Sequence, residues 1–568
     1  STYDSPVVDL YVGFFRSRSI MSAGLDELAF PKLTAEEIRL LRPFASEQEF
    51  ADGAKVFEAG KPYADLFVVE TGTVEIRDPG DHGRLVTTHM PGEFSGDIDL
   101  LTRRPALVDA IAGGATRVLR VPGSRIREML NRVPGFGEKL MKAITRRRQL
   151  LMGEGVVGLR VVGPGRCRET ALIREFLYKS FVPFTWFDPA TPKGREMFVA
   201  LGSPPKLPVV VNTQGRVLVN PSLAELARSA GIWQACPDQD VDFAIIGAGP
   251  AGISAAVYAA SEGLSTVVFD RLGPGGQAGG SSRIENFIGF PAGLSGMDLA
   301  TRGVLQMLKF GAQMVAPISV EQIETAASPG MPHVLHLDCG AKIRAHTILV
   351  ATGVRWRRLD APGADRFEGA GIYYVCTSVE AFLYNTSDVA VVGGGNSAGQ
   401  AAMYLAECCP QRRVHMLIRR ELGPGMSEYL VSRLRAAANV TVHENVEISA
   451  VIGERRIEEV ELHNKQADTH SRLSCAAVFV FIGAEPSAPW LPTAIARDKL
   501  GYLLTGTDVV RSGHWPLTDR DPCPLETTVP RILAAGDVRS GSTKRVGFAV
   551  GDGSLAVTCV HRLRATGG

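Results

Sequence analysis

The chain has 568 residues, of which 61 are lysine or arginine and 60 are aspartate or glutamate, so its formal charge is +1. Its 45% hydrophobic and 21% charged residues exclude disorder as the main state, and the length predicts about three or four domains. Because nucleic-acid-binding proteins concentrate a basic excess, the balanced charge argues against a nucleic-acid partner. We expect the basic run Arg146 to Arg148 to be a solvated helix end.

Neither a membrane span nor a disulfide framework is expected. The longest apolar stretch, Cys475 to Ala484, falls short of the roughly 20 residues that cross a bilayer. The first residues show no basic segment followed by an apolar core, so we expect no secretory signal. The nine cysteines are odd in number and never spaced as Cys-x-x-Cys, which argues against structural disulfides and a metal site. These features predict a cytoplasmic protein without a membrane partner.

Two small domains are predicted before residue 240. Residues 25–150 contain alternating segments such as DLFVVETGTVEIRD separated by glycines, a pattern typical of a small antiparallel barrel, here with flanking helices. Residues 157–235 follow the order strand, helix, strand, helix, strand, strand, helix, which predicts a compact α/β unit. A polar linker is expected at residues 236–240.

The segment VDFAIIGAGPAGISAAVYAA predicts a strand, a glycine-rich turn and a helix. Its glycines allow a tight turn, the approach of a pyrophosphate and close packing of helix on strand, and the helix N-terminus attracts the phosphates. The next strand ends in Asp270, where a carboxylate can accept a ribose hydroxyl. The predicted dinucleotide site comprises Gly247, Gly249, Pro250, Ala251, Gly252 and Asp270.

The same pattern recurs in VAVVGGGNSAGQAAMYLAE, but the following strand ends in Arg419 and Arg420 instead of an acid. Guanidinium groups offer charge and forked donors to a phosphate, so this loop favours NADPH over NADH. The alternative is that both arginines lie on a solvated turn. The predicted residues of this second site are Gly393, Gly395, Asn396, Ser397, Ala398, Arg419 and Arg420.

Further motifs, GGQ with IENFIGFP, ILVATG, VFVFIGAEP and TVPRILAAGDV, accompany the two loops. Together they resemble the low-molecular-weight thioredoxin reductase family over residues 241–568. The resemblance implies FAD and NADPH, a homodimer, an FAD-binding domain at residues 240–355 and 485–568, and an NADPH-binding domain at residues 356–484. The residues that it places at the cofactors or at the domain crossings are Gly275, Gly276, Gln277, Asn286, Ala351, Thr352, Gly353, Gly536, Asp537, Lys544, Arg545 and Val546.

This chain departs from the family at two places. Lys544 to Val546 stand where the family has Arg-Gln-Ala beside the flavin. In the segment GIYYVCTSVEAFLY, Val375 and Ser378 occupy the positions of the family's Cys-x-x-Cys, and Cys376 lies between them. An internal disulfide is therefore lost, although Cys376 remains a candidate single thiol, with an inert buried cysteine as the alternative.

The two N-terminal domains carry weaker resemblances. Residues 157–235 resemble the thioredoxin/glutaredoxin fold with a single Cys167 at the redox position, either a reactive monothiol or part of a degenerate docking module. Residues 25–150 resemble a cyclic-nucleotide-binding domain, in which Asp97 would bind the ribose. That family's phosphate-binding arginine is absent after Pro105, so Arg103 or Arg104 would have to replace it, and a packing or dimerisation module is the alternative.

The fold class expected is therefore multidomain: an antiparallel barrel, a thioredoxin-like α/β unit and two Rossmann-type dinucleotide-binding domains. The expected function is an FAD-dependent NADPH oxidoreductase whose acceptor is a disulfide, a carrier protein, a quinone or oxygen. A ligand-regulated flavin sensor with negligible turnover is the alternative. Disulfide reduction through Cys167 or Cys376 is a third possibility.

Overall fold

The computed structural model describes residues 27–61, 65–79, 83–96, 100, 104–133, 135–154, 158–165, 167–281, 283–328, 330–454, 456–486 and 488–565. The chain forms two compact units. One contains the described parts of residues 1–162 and 181–232, and the other those of residues 163–180 and 233–568. The four domain boundaries inferred from the sequence stay a prediction.

The smaller unit begins with an antiparallel sheet in the strand order β1-β5-β3-β4, with β2 also paired to β5. This confirms the predicted antiparallel architecture with flanking helices. Asp97 and Arg103, which the sequence placed near a nucleotide, lie outside the described residues. The elements are α1 (Ala35–Leu41), β1 (Ser46–Phe50), β2 (Lys55–Phe57), β3 (Leu66–Asp78), β4 (Arg84–His89), β5 (Asp109–Val121), α2 (Gly123–Arg132) and α3 (Phe136–Glu154).

The expectation that residues 146–148 form a solvated helix end is wrong for Arg147. This residue lies inside α3 and is buried, and its guanidinium donates hydrogen bonds to the carbonyl oxygens of Ala29, Phe94 and Gly96 at 2.7 to 2.8 Å. The guanidinium also stacks over the rings of Phe30 and Phe94. Arg147 is buried because these carbonyls satisfy its donors, which replaces the hydration that it loses.

A second sheet follows in the order β7-β6-β8-β9, in which β6 and β7 are parallel and the other pairs are antiparallel. The element order matches the one predicted from the sequence. The four strands belong to the smaller unit, whereas α4 belongs to the larger one. The elements are β6 (Leu159–Val162), α4 (Arg168–Lys179), β7 (Phe184–Phe187), α5 (Pro192–Ala200), β8 (Val209–Val211), β9 (Val217–Val219) and α6 (Leu223–Ser229).

The larger unit starts with a sheet in the order β12-β11-β10-β15-β14-β13. Strands β12, β11, β10 and β15 run parallel, and all four side chains of β11 are buried, as expected for a parallel sheet covered on both faces. The elements are β10 (Val241–Ile246), α7 (Pro250–Ser261), β11 (Thr266–Phe269), α8 (Gly296–Phe310), β12 (Gln313–Val315), β13 (Val320–Glu324), β14 (His333–Leu337) and β15 (Lys342–Val350).

A parallel sheet in the order β17-β24-β18-β19-β20 forms the middle of the unit, and β21-β22-β23 form an antiparallel meander. The short strands β16 and β25 pair where the chain enters and leaves this part. The elements are β16 (Val354–Trp356), β17 (Ile372–Tyr373), α9 (Ser378–Leu383), β18 (Val389–Val392), α10 (Asn396–Cys408), β19 (Val414–Ile418), α11 (Glu428–Ala436), β20 (Val440–Glu444), β21 (Val446–Ile452), β22 (Glu459–Asn464), β23 (Thr469–Ser474), β24 (Ala477–Val480) and β25 (Ala484–Pro486).

The chain then returns to the first sheet with α12 (Thr507–Ser512), β26 (Ile532–Ala534), which pairs in parallel with β15, and α13 (Val546–Ala565). Helix α13 packs on α7, and Ser254 of α7 donates a hydrogen bond to the carbonyl oxygen of Val550. Two dinucleotide-binding sheets in one chain confirm the predicted fold class. Within the described ranges, no helix is long and apolar enough to cross a membrane.

Candidate functional site

The first glycine loop joins β10 to α7. Gly247 has a φ of +109°, and a Cβ there would press against the carbonyl group of Ala351. A Cβ on Gly252 would likewise press against the carbonyl oxygen of Gly247. Because left-handed backbone and close approach both exclude larger side chains, the packing of the chain itself requires glycine at these two positions.

Gly249 is different, because no described part of the chain requires a glycine there. Its φ is −75°, which any residue adopts, and the nearest atom to a Cβ at this position would be the Cα of Gly276 at 4.0 Å. Gly249 caps α7, whose first turn starts with Pro250 and Ala251 and presents free N–H groups. The bare backbone at this helix N-terminus fits the close approach of a pyrophosphate.

The carboxylate of Asp270 fixes the two turns around the loop. One oxygen accepts a hydrogen bond from the N–H of Ala248 at 2.8 Å, and the other accepts from the N–H groups of Leu272 and Gly273 at 2.9 and 2.8 Å. Each carboxylate oxygen has more than one lone pair, so these bonds leave acceptor capacity for a ribose hydroxyl. Asp270 therefore holds the first glycine loop and the turn after β11 together through these hydrogen bonds.

The hydroxyl of Thr352 supports a ligand beside this loop. Its oxygen is shielded from solvent and has no hydrogen-bond partner among the residues described. An unpaired buried hydroxyl costs about 1–3 kcal/mol, so a polar ligand atom is the natural partner. Thr352 follows Ala351, whose N–H donates to Ile246 at the end of β10, and precedes Gly353 with its φ of +61°.

The GGQ turn lies against the first loop. The N–H of Gly275 donates to the carbonyl oxygen of Ala248 at 2.8 Å, and Gly276 approaches Gly249 closely. The amide of Gln277 donates to the carbonyl oxygen of Val354. Asn286 is solvent-exposed. The GGQ turn therefore packs directly against the first glycine loop.

The motif around Gly536 packs against α7, the helix that follows the first loop. Gly536 has a φ of +74°, approaches Ala251 of α7, and donates its N–H to Asp552 of α13 at 2.9 Å. Burial disfavours the charged form of both neighbouring side chains, so it raises the pKa of Asp537 and lowers the pKa of Lys544. The Lys544 ammonium donates a hydrogen bond to the backbone carbonyl oxygen of Asp537 at 2.5 Å. Arg545 is exposed and Val546 begins α13.

The second glycine loop repeats the geometry of the first. Gly393 has a φ of +139°, and a Cβ there would press against the carbonyl oxygen of Phe481. Gly395 has an ordinary φ of −100°, and a Cβ there would find its nearest atom, the Gly425 carbonyl oxygen, at 3.9 Å. Asn396 accepts a hydrogen bond from the N–H of Ser427 at 2.7 Å, which fixes the first turn of α10. Ala398 is buried in that turn and Ser397 is exposed.

Arg419 and Arg420 directly follow β19, the strand next to the one that leads into the second loop. Both side chains are exposed. Among the residues that the structure describes, neither guanidinium holds a hydrogen bond or an ion pair. They are therefore free to meet a phosphate.

A cleft brings together residues from both dinucleotide-binding parts. Its lining includes Gln277 and Ser281 from the first part, Ser397 and Gln400 of α10 from the second, and Cys376. Ser281 and Cys376 form an isolated β-bridge. The cleft therefore connects the GGQ turn with the helix that follows the second glycine loop.

Cys376 has the environment of a protonated thiol. Its exposed fraction is 3%, it packs in the core under β18 and β19, and burial raises its pKa well above the usual range, with Glu380 adding to the effect. A thiol in such surroundings is a poor nucleophile, because the thiolate is the reactive form. The neighbouring Val375, at the position of the family's first cysteine, packs against Gly280.

Cys167 is not among the described residues that line the cleft. It caps the N-terminus of α4, and its thiol donates a hydrogen bond to Glu169 at 3.1 Å.

Sequence reasoning missed Asp552, which anchors both Gly536 and the guanidinium of Arg539. A single acid inside the small-residue run VGFAVGDGSLAV was the available signal, since an acid there needs a partner in the adjacent motif. The ion pair of Glu285 with Arg433, at 3.2 Å, joins the two dinucleotide-binding parts and had no sequence signal.

Comparisons with known proteins agree with this geometry. Residues 241–553 match the family model described as pyridine nucleotide-disulphide oxidoreductase, and residues 47–133 match that of the cyclic nucleotide-binding domain. The chain is 32% identical over 320 residues to a thioredoxin reductase of Treponema pallidum, covering 56% of this chain and 95% of that protein. It is 29% identical over 347 residues to an NADH dehydrogenase of Ferdinandcohnia aciditolerans, covering 61% of each.

Among solved structures, the thioredoxin reductase of Lactococcus lactis matches with a TM-score of 0.51 and 24% identity. The match covers 58% of this chain and 100% of that chain. At this identity the likeness shows the fold alone.

The two middle glycines provide a direct test of the site. Gly249→Ala adds a methyl group where the folded chain leaves space but a pyrophosphate would lie, so we expect an unchanged melting temperature of the ligand-free protein and an at least roughly tenfold weaker affinity for FAD, measured by flavin titration. Gly395→Ala is the matched variant and should keep the flavin while losing affinity for the nicotinamide coenzyme. A Gly249→Ala protein that purifies with the wild-type flavin content would contradict the assignment.

Proposed function

Since the chain belongs to the pyridine nucleotide-disulphide oxidoreductase family, we propose that it is an NADPH-dependent flavoprotein oxidoreductase with FAD at the first glycine loop and NADPH at the second. Bound FAD supplies hydride acceptance from a reduced nicotinamide and electron release to a further acceptor. The residues of this chain bind, orient and shield the two coenzymes.

The middle glycines carry the proposal. Gly249 and Gly395 are the positions in the two loops where neither backbone conformation nor a described neighbour requires a glycine. Both cap the helix that follows, so an anion at either position meets free N–H groups. The unpaired hydroxyl of Thr352 adds a polar partner beside the first loop only.

Arg419 and Arg420 support NADPH over NADH. A guanidinium binds a ribose 2′-phosphate with charge-assisted hydrogen bonds, whereas NADH offers only hydroxyl groups there. No described acidic side chain pairs with either arginine, so a bound coenzyme would not have to displace an existing ion pair. One relative is called an NADH dehydrogenase, so binding of NADPH should be compared with binding of NADH in every test.

Electrons must leave to an external acceptor in this proposal. Val375 and Ser378 stand at the positions of the family's dithiol, and Cys376 is buried, which raises its pKa well above the usual range. A disulfide, a carrier protein, a quinone and oxygen all fit this requirement. The N-terminal cyclic nucleotide-binding domain would then supply regulation by a nucleotide, in a cytoplasmic homodimer.

The N-terminal cyclic nucleotide-binding domain differs from its family at the position of the phosphate-binding arginine. Ala106 stands near the position of the phosphate-binding arginine, is buried, and pairs through its backbone with Gly60 and Lys61. Of the two arginines just before Pro105, Arg104 is the one that the structure describes. A nucleotide ligand would therefore be held with Arg104 in place of the missing arginine.

Anaerobic mixing of the purified flavoprotein with NADPH tests the function. We expect the flavin absorbance to bleach within seconds, followed by reoxidation when the right acceptor is added. An unchanged flavin spectrum would overturn the enzymatic proposal and favour a flavin-containing sensor.

Replacing the two arginines tests coenzyme choice. Arg419→Ala with Arg420→Ala should raise the KM for NADPH about 10- to 100-fold, the effect of losing about 1.4–2.8 kcal/mol of phosphate binding, and leave the KM for NADH nearly unchanged. Arg413→Ala, at the other end of β19, removes an exposed charge of the same kind and serves as the control. Equal effects on both coenzymes would contradict the phosphate assignment.

The role of Cys376 is tested by Cys376→Ser. We expect NADPH oxidation with an external acceptor to stay at the wild-type rate, because a buried thiol with a raised pKa is a poor nucleophile. Cys475→Ser, at another buried cysteine, controls for loss of packing. If turnover stopped while NADPH still reduced the flavin, Cys376 would be an electron relay.

A further inference from the structure

The cleft that holds Cys376 has no charged side chain among the described residues that line it. Its polar members are glutamine, serine and tyrosine, and apart from Cys376 the others are glycine or apolar residues. Burial raises the pKa of Cys376 well above the usual range, which disfavours a charged thiolate as well. A charged ligand would lose its hydration in this cleft without gaining a counter-ion, so the lining favours a neutral one.

Three aromatic side chains take part in the lining, namely Trp356, Tyr374 and Phe481. Trp356 lies on β16, which pairs with β25 where the chain passes between the two dinucleotide-binding parts. The hydroxyl of Tyr374 donates to Glu368 at 3.0 Å and accepts from the N–H of Leu359 at 3.1 Å. These bonds satisfy the hydroxyl and leave the ring to contact a ligand. Aromatic walls of this kind favour a flat, conjugated molecule.

Several uncharged polar groups of the cleft are available to a ligand. The hydroxyls of Ser281 and Ser397, the amide of Gln400 and the indole N–H of Trp356 make no hydrogen bond to another described residue. Each of these groups can donate to a carbonyl oxygen. A neutral, flat molecule with carbonyl groups therefore matches both the walls and the donors of the cleft.

The size and neutrality of the cleft distinguish the four acceptors that the proposed function leaves open. The cleft encloses about 370 Å³, within the range of about 300–1,000 Å³ typical of small-molecule sites, so a folded carrier protein does not fit inside it. Small disulfides such as cystine carry carboxylate and ammonium groups, which would find no counter-ion in the lining. Oxygen needs neither aromatic walls nor several donors. A quinone is flat and uncharged and has two carbonyl oxygens.

We propose that this cleft binds a quinone against the ring of Trp356 and that the quinone is the electron acceptor of the protein, an inference that rests on the proposed function. NADPH, one proton and a quinone give NADP⁺ and a hydroquinone. NADPH supplies two electrons and one proton as hydride, solvent supplies the second proton, and both carbonyl oxygens become hydroxyls. Gln277 lines the cleft and belongs to the GGQ turn, which packs on the loop where FAD is proposed.

Equilibrium dialysis of the purified full chain against duroquinone, without NADPH, tests the site independently of turnover. The four methyl groups of this quinone block addition of the protein's nine cysteines to its ring. We expect saturable binding of one quinone per chain. Trp356→Ala should weaken the affinity about tenfold because it removes the aromatic face, whereas Trp356→Phe should retain most of it.

The matched control for this binding experiment is Trp490→Ala. Trp490 packs against the core of the first dinucleotide-binding part and is not among the described residues that line the cleft, so its removal should leave quinone binding unchanged. Absence of saturable binding to the wild type, or equal affinities of the wild type and Trp356→Ala, would overturn the proposal.

A charge introduced into the cleft tests its neutrality. Gln400→Arg gives the sulfonate of anthraquinone-2-sulfonate a counter-ion, so kcat/KM for this acceptor relative to duroquinone should rise about tenfold. Gln466→Arg, on an exposed turn outside the lining, adds the same charge and should leave this ratio unchanged. An unchanged ratio in Gln400→Arg, or an equal change in both variants, would contradict binding in the cleft.

Failure of the proposed function and failure of this inference give different results. If NADPH does not bleach the flavin, the proposed function is wrong, and the dialysis still decides whether the cleft binds a quinone. If NADPH bleaches the flavin and a disulfide reagent restores its absorbance while duroquinone does not, only the assignment of the quinone is wrong.

Discussion

At the carboxyl ends of β10 and β15 the two chain segments come so close together that only a glycine fits at position 247. The turn from β10 into α7 depends on this close contact. Gly247 leaves β10 in a left-handed conformation directly against the carbonyl group of Ala351, so the next residues must turn into α7. Gly393 repeats the arrangement against Phe481 at the second sheet. Each contact presents a helix N-terminus with a bare backbone, and the proposed function places one pyrophosphate at each of them.

One cleft is lined by residues from both dinucleotide-binding parts. The GGQ turn belongs to the first dinucleotide-binding part and α10 to the second, and both line the same cleft with Cys376. Where the family resemblance predicts a Cys-x-x-Cys, this chain has Val375, which packs beside Gly280, and Ser378, and Cys376 between them is buried. The chain therefore has both glycine loops but no pair of cysteines at this position.

The parts that could be predicted from the sequence are those set by short-range constraints. Glycine spacing at Gly247 and Gly393, strand and helix order, and the antiparallel sheet all follow from local backbone rules. Long-range pairing could not be predicted: Arg147 was expected in solvent but is satisfied by three distant carbonyls, and Asp552 meets Gly536 only after α13 packs on α7.

The proposed function requires one property above all, that the chain binds FAD without help from another protein. The most direct measurement is the FAD content of the purified full chain, determined by releasing the cofactor with heat and identifying it by mass. The account predicts a yellow protein with one non-covalent FAD per chain, or one that reaches this ratio when FAD is added. A colourless chain that takes up no FAD would contradict it.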